Sequence, residues 1–417
     1  MKEILDYEYV SNPFISKTQS VLVLSLMAIL ERMSYYGVRA VIILYAIGKD
    51  GLNLPKEDVL QYYSFFPFLL VFLFVPTGLI TDKLLSQKKA IYLGGVLALI
   101  GYLALCLGGL QGTIASLIVI AIGTSFVKPN NSILIGRLFE KSDQKRSLGY
   151  IAFFTGINVG AFIGTLSIGY LAEEIGWNAC FLAAAVGTLT YLMLFYFTNK
   201  KMNQPESNNV TDGSNKVILK QSLFIIIFLI IVEVLQSYSY EKVTSVVTEN
   251  LTNGQDTGLF GIELFSSVIY SISTLISIPI ILFFYIYWYQ KGVGSTISKI
   301  SKSLIFIGLG AVSIYFISYI PSNLLLEYSI LPFFFAEISE IFISAFLLSH
   351  LTRVSDIKFS ATIFGVFYFT TYLITRGLQL IIFDNTYLPF LAILLLTLSL
   401  IIILSKKKIV TWSFQID

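Results

Sequence analysis

Glu31-Arg32-Met33-Ser34-Tyr35-Tyr36-Gly37-Val38-Arg39 sits in the middle of an apolar run, residues 19–47, that otherwise reads as lipid-soluble. An ionisable side chain at mid-bilayer depth costs at least about 2.5 to 3.5 kcal/mol on insertion scales. It is therefore usually found facing a polar cavity on a substrate or ion path. Three full charges in one such span imply a helix that crosses a membrane and lines something wet.

The rest of the chain repeats the apolar pattern. With about 20 apolar residues needed per crossing, spans fall near 19–47, 57–81, 91–110, 113–137, 148–172 and 177–198, then near 221–247, 259–288, 300–320, 324–350, 359–383 and 387–405. This predicts an all-α membrane protein of about twelve transmembrane helices in two six-helix bundles. The polar segment 199–220, with Gln204-Pro205-Glu206-Ser207-Asn208-Asn209 and Asp212-Gly213-Ser214-Asn215, reads as a flexible linker between bundles at 1–198 and 221–405, and 406–417 as a tail.

Composition agrees: of 417 residues 56% are hydrophobic, 15% aromatic and only 13% charged, and mean hydropathy is +0.79. Soluble globular chains carry roughly 25% charged residues. A net charge of +3 is too small to point to nucleic acid. Cys106 and Cys180 both fall in apolar spans and suggest neither a disulfide framework nor a metal site. No nucleophile triad, phosphate loop or metal-ligand spacing stands out, so no enzyme activity, cofactor or metal is expected. No cleavable signal is read, because the polar start is followed by a span too long for a signal core. Of the 28 Lys and Arg residues, 21 fall in segments on one side of the spans, and only Lys49 and Lys56 on the other. That bias places both termini in the cytoplasm.

Depth turns scattered polar residues into a layer. At 1.5 Å rise per residue, Glu31, Arg32 and Glu233 lie roughly 18 Å from the cytoplasmic ends of their spans, Asn158 and Glu340 about 15 Å, and Lys128 about 13 Å. All six stand near the midplane and both halves contribute, which is where two-half transporters hold substrate and coupling ions. Arg39 and Glu241 each lie about 30 Å up their helices, one per half, and so form a candidate external gate.

Several motifs then point to a family. Glu31 to Arg39 resembles the first-helix signature E-x-x-E-R-F-x-Y-Y-G-x-R of the proton-dependent oligopeptide transporters, a branch of the major facilitator superfamily. Lys128-Pro129-Asn130 resembles their fourth-helix K-P-N, and Phe153-Phe154-Thr155-Gly156-Ile157-Asn158-Val159-Gly160 with Gly176-Trp177-Asn178-Ala179-Cys180-Phe181 resembles F-Y-x-x-I-N-x-G and G-W-x-x-x-F. Gly78-Leu79-Ile80-Thr81-Asp82-Lys83 resembles the superfamily's loop motif, which makes Asp82 a gate candidate. In the second half Pro279, Lys299 and Ser339-Glu340 fall where the family has its eighth-helix Pro, ninth-helix Lys and tenth-helix G-E.

The resemblance implies a major facilitator fold and an alternating-access symporter that imports di- and tripeptides with protons, in a prokaryotic inner or plasma membrane. No obligate protein partner is expected. Arg32 and Lys128 would take the peptide carboxylate, Glu340 and Asn158 its ammonium, Tyr35 and Tyr36 the walls, while Glu31 and Glu233 would couple protons. Arg offers a planar fork that binds both carboxylate oxygens, and Lys a compact charge. The chain also departs from the pattern. Ala28 replaces the first Glu of the signature, Met33 its Phe, Ala345 the tenth-helix Pro and Tyr270 the eighth-helix Asn, and Glu233 and Gln236 are three apart rather than adjacent. The linker has no room for the two extra helices of many bacterial members. Other readings of the same fold are a relative that carries a different small anion or drug-like solute, and a receptor that binds without transport, which Ala28 favours.

Overall fold

The computed structural model describes residues 16–140, 143, 145–202, 216–252, 304–313, 325–355 and 357–381, with the single residues 279, 283, 287, 393, 396 and 397. Six helices, α1 (Lys17–Ile47), α2 (Lys56–Leu84), α3 (Gln87–Leu105), α4 (Leu110–Arg137), α5 (Arg146–Glu174) and α6 (Trp177–Thr198), make the first half. They are followed by α7 (Lys216–Thr252), the short α8 (Leu304–Ser313), α9 (Leu325–Val354) and α10 (Ser360–Ile381), the last two being the tenth and eleventh spans of the sequence. No strand occurs among the described residues, and seven of their helices are long and apolar enough to cross a bilayer. Apart from those single residues, the expected eighth and twelfth spans lie outside the described residues, as do the centre of the linker, the tail, Tyr270 and Lys299.

Local chemistry explains where the helices begin and end. Ser16 caps α1 with a reciprocal box: its Oγ accepts from the Gln19 backbone N–H at 3.2 Å, while the Gln19 side chain accepts from the Ser16 N–H at 2.7 Å. The third span stops at Leu105, five residues before the hydropathy boundary, and Cys106 caps it. Gly108 and Gly109 follow with φ of 70° and 75°, a turn that apolarity alone does not reveal. The seventh span starts earlier than expected, at Lys216, so its first turns take up the end of the expected linker.

Packing in the first half is tightest between α1 and α5 and between α3 and α4. The glycines of α5 make the first contact possible, as their spacing in the sequence suggests. A Cβ on Gly160 would stand 2.4 Å from the Ile29 carbonyl oxygen and 3.0 Å from the Arg32 Cβ, so only hydrogen lets α5 seat directly behind Arg32. In the second half α7 packs on α9 and on α10. The halves meet through α2 against α10 and α5 against α9.

Candidate functional site

Lys128 is held in place by its neighbour. Pro129 has no N–H, so the Ser125 carbonyl loses its helical donor. The Thr77 hydroxyl of α2 approaches that carbonyl at 3.2 Å, while also bonding Leu73 within its own helix at 2.7 Å. Asn130 adds an Nδ2 bond to the Phe126 carbonyl at 2.8 Å and reaches Thr81 of α2 at 3.4 Å. The K-P-N triplet thus ties α4 to α2, with Lys128 facing inward.

Inward lies a cavity of about 110 Å³. Its wall contains Ala28, Glu31 and Arg32 from α1, Lys128, Asn131 and Ser132 from α4, Phe153, Phe154 and Ile157 from α5, Glu233 from α7, Glu340, Ser344 and Leu348 from α9, and Tyr368 from α10. The five charged residues that depth arithmetic set in one layer therefore share one cavity, and both halves supply them. Ala28, the position of the absent family acid, is part of the same wall.

Within it the charges are arranged unequally. Arg32 is 3% exposed and forks onto Glu31: its Nε donates to Oε2 at 2.5 Å and its Nη2 to Oε1 at 3.0 Å. Adjacent helical residues diverge by about 100°, so both side chains must swing toward each other to meet. Arg32 also lies over the rings of Tyr35 and Tyr36, at 5.3 and 5.9 Å. Across the cavity, the Oε2 atoms of Glu233 and Glu340 are buried with no hydrogen-bond partner among the described residues. Buried carboxyl oxygens left unsatisfied are costly, and a ligand ammonium entering the cavity would relieve both.

Three expected contacts stand elsewhere. Asn158 is buried but outside the cavity wall, and Tyr35 packs on Phe66 and Tyr36 in a neighbouring apolar cluster. Tyr36 likewise touches Arg32 and Arg39 but does not line the cavity. Height along a helix says nothing of azimuth, which explains these displacements. Conversely Asn131, Ser132, Phe153, Phe154, Ser344 and Tyr368 line the cavity without having been singled out as cavity residues, because uncharged side chains carry no insertion cost to betray them. Glu337, three residues from Glu340, faces away from the cavity and accepts a 2.8 Å bond from the Tyr240 hydroxyl.

The ends of the bundle differ. At the cytoplasmic end Asp82 reaches from α2 to the first turn of α10, where it accepts from the Ala361 N–H at 3.1 Å and from the Thr362 N–H and hydroxyl, both at 2.7 Å. These are orphan donors at a helix N-terminus, the place where an anion is most welcome. Buried Arg146 and Tyr150 of α5 meet Thr352 of α9 nearby, at 3.3 and 3.1 Å. At the external end Arg39 is exposed and donates to the Tyr63 hydroxyl at 3.0 Å. Glu241 pairs with Arg376 at 3.7 Å and accepts from Gln379. The expected Arg39–Glu241 pair is therefore not made in this conformation, because each member is held by partners in its own half.

Among the described residues, then, charged side chains from both halves meet in one cavity of a helical membrane protein. Comparison names the family: residues 88–300, just over half of the chain, match the POT family model, and the chain belongs to that family. It is similar to a di-/tripeptide transporter of Lactococcus lactis subsp. lactis, 34% identical over 173 residues, which are 40% of this chain and 35% of that protein. It also matches the peptide transporter YePEPT of Yersinia enterocolitica, 32% identical over 171 residues, 40% of this chain and 34% of that protein. The matched segment thus spans about a third of these curated relatives. The fold extends further. A crystal structure of a POT family transporter in complex with a thioalcohol conjugated peptide superposes with TM-score 0.66 at 22% identity, over 94% of this chain and 96% of that one. Another POT family transporter, in complex with 5-aminolevulinic acid, gives 0.64 at 21%, again over 94% and 96%. The protein is thus a multi-pass integral membrane protein of a transporter family, and not an enzyme.

Proposed function

We propose that this chain is an alternating-access symporter of short peptides in a prokaryotic plasma membrane, built from bundles at 1–198 and 221–405 and driven by protons. The observation that carries the reading is the cavity itself: Arg32 and Lys128 from one half face Glu233 and Glu340 from the other. A peptide zwitterion has a carboxylate at one end and an ammonium at the other, so its two ends match opposite halves. Binding it draws the halves together, which is what an occluded intermediate requires. The relatives in Lactococcus and Yersinia are named as peptide transporters, which supports the substrate class.

Ala28 removes one of the acids that the family uses for coupling, so coupling falls to Glu233, with Glu31 setting the availability of Arg32. Protonating Glu31 frees Arg32 for the peptide carboxylate, and release of the peptide restores the Arg32–Glu31 pair. Reconstituted in liposomes, the protein should accumulate a labelled dipeptide under an inward proton gradient. Glu233→Gln should abolish that accumulation yet retain counterflow, which needs binding and reorientation but no net proton movement. Gradient-driven accumulation that persists in Glu233→Gln would overturn the coupling assignment. Binding without flux in the unmodified protein would favour a receptor, and pH-indifferent flux a facilitator.

A further inference from the structure

Lys128 shares its cavity with three carboxylates, Glu31, Glu233 and Glu340, yet pairs with none of them. Its ammonium is acted on by Glu31, Glu233 and Glu340 and repelled by Arg32, but among the described residues it makes no ion pair and no side-chain hydrogen bond. Instead Nζ lies 5.0 Å from the ring centre of Tyr368 and 5.7 Å from that of Phe74. The two rings are 5.4 Å apart and inclined at 49°. Phe74, 1% exposed, comes from α2, and Tyr368 from α10, so each half contributes one face. A lysine ammonium within about 6 Å of an aromatic face is attracted by the ring quadrupole.

We infer that Tyr368 and Phe74 are positioning residues that hold the Lys128 ammonium off the cavity's carboxylates, leaving both charges open to a zwitterionic ligand. This inference rests on the peptide reading above and names how its carboxylate site is kept vacant. Lys carries its charge on a flexible four-carbon stem. Without the rings the ammonium swings onto Glu340 or Glu233, and a ligand must first break that pair. Apparent affinity then falls by the fraction of molecules left open: one in five open gives fivefold weaker binding. The rings also tie the lysine to conformation. Tyr368 stands six residues beyond Thr362, which Asp82 caps, so the clamp is assembled while the cytoplasmic ends are joined. When α10 leaves α2, the lysine is released, and affinity for the ligand drops on the side to which it is delivered.

The test is calorimetric titration of the purified full-length protein with dialanine and with dialanine amide, which keeps the ammonium and lacks the carboxylate. Tyr368→Leu and, independently, Phe74→Leu should weaken dialanine binding about three- to tenfold and leave the amide within about twofold, the unchanged amide showing that the cavity is still folded. Tyr368→Phe, which keeps the ring and loses only the hydroxyl's bond to Ser132, should bind dialanine more tightly than Tyr368→Leu. Unchanged dialanine affinity in both Leu variants, equal losses for the two ligands, or a Phe variant as weak as the Leu variant would each overturn the clamp while leaving the peptide reading intact. An unmodified protein that binds no dialanine would instead overturn the peptide reading, and the clamp with it.

Discussion

The cytoplasmic and external ends of the bundle use similar chemistry in opposite ways. At the cytoplasmic end an acid of one half, Asp82, accepts three hydrogen bonds from the other half, at Ala361 and Thr362. At the external end Arg39 and Glu241 turn to Tyr63 and to Arg376 and Gln379, all within their own halves. On the proposed alternating-access cycle, closing one end and opening the other would ask charged groups to exchange partners rather than to lose them. Two states of nearly equal energy are what alternating access needs, since a ligand shifts an equilibrium only by its differential affinity for them.

The largest effect is expected between the two ends, where the ligand bridges the halves. Arg32→Ala and Lys128→Ala should each lower dipeptide uptake 30-fold or more while the protein remains folded. Removing one partner of a desolvated charge pair costs about 2 to 5 kcal/mol. Near-normal uptake in both variants would detach the cavity from the transport cycle.

Next comes the joined end. Asp82→Asn removes the charge from three bonds that an anion makes best, worth about 1.5 to 3 kcal/mol, and should shift the population toward a form open to the cytoplasm by about tenfold or more. Spin labels placed across the cytoplasmic ends of α2 and α10 should report longer distances, and uptake should fall. Unchanged distances would mean that Arg146, Tyr150 and Thr352 hold this end without Asp82.

The external end should respond less, because its charges already have other partners. Arg39→Glu and Glu241→Arg should each impair uptake several-fold, and the double swap should recover part of it. Single and double variants that behave alike would remove the pair from the gate.

A pair lying within one half supplies the control. Lys17 of α1 donates to Asp143 at 2.9 Å, on the cytoplasmic side. Burial pushes the Asp143 carboxyl up, but the Lys17 ammonium and the Lys145 backbone N–H outweigh it and hold the group below its ordinary value of 3.8. Its contribution is therefore complete above that value and is lost as pH falls through the lower folded-state value. An exposed pair of this kind is worth about 0 to 1 kcal/mol. Asp143→Asn should leave uptake at neutral pH within about twofold and shift the melting temperature little. A large transport defect would mean that pairs within a half also govern the exchange between states.

Much of this was legible in residues read one helix at a time. Charges as costly as Arg32 and Lys128 in lipid announce a cavity, and their distance from a helix end states its depth. Helix starts followed roughly too, the first span being set at 19 where α1 begins at Lys17. The third span ran too long because Gly108-Gly109 ends a helix through backbone conformation rather than polarity. Asn158, Tyr35 and Tyr36, expected at the site, lie outside the cavity wall, and Tyr368 escaped notice because an uncharged ring in an apolar helix carries no signal of its own.

By itself, then, the sequence determined which of the described segments are long and apolar enough to cross a membrane and how far along its helix each charge lies, because hydrophobic length and a 1.5 Å rise are local properties. Only the tertiary structure decided which side chains share a cavity, that Arg32 rests on Glu31 while Lys128 rests on two rings, and that Asp82 has crossed to the other half while Arg39 has not. Those outcomes depend on the rotation of each helix about its axis and on contacts between residues hundreds of positions apart, which packing of the whole bundle sets and no local pattern encodes.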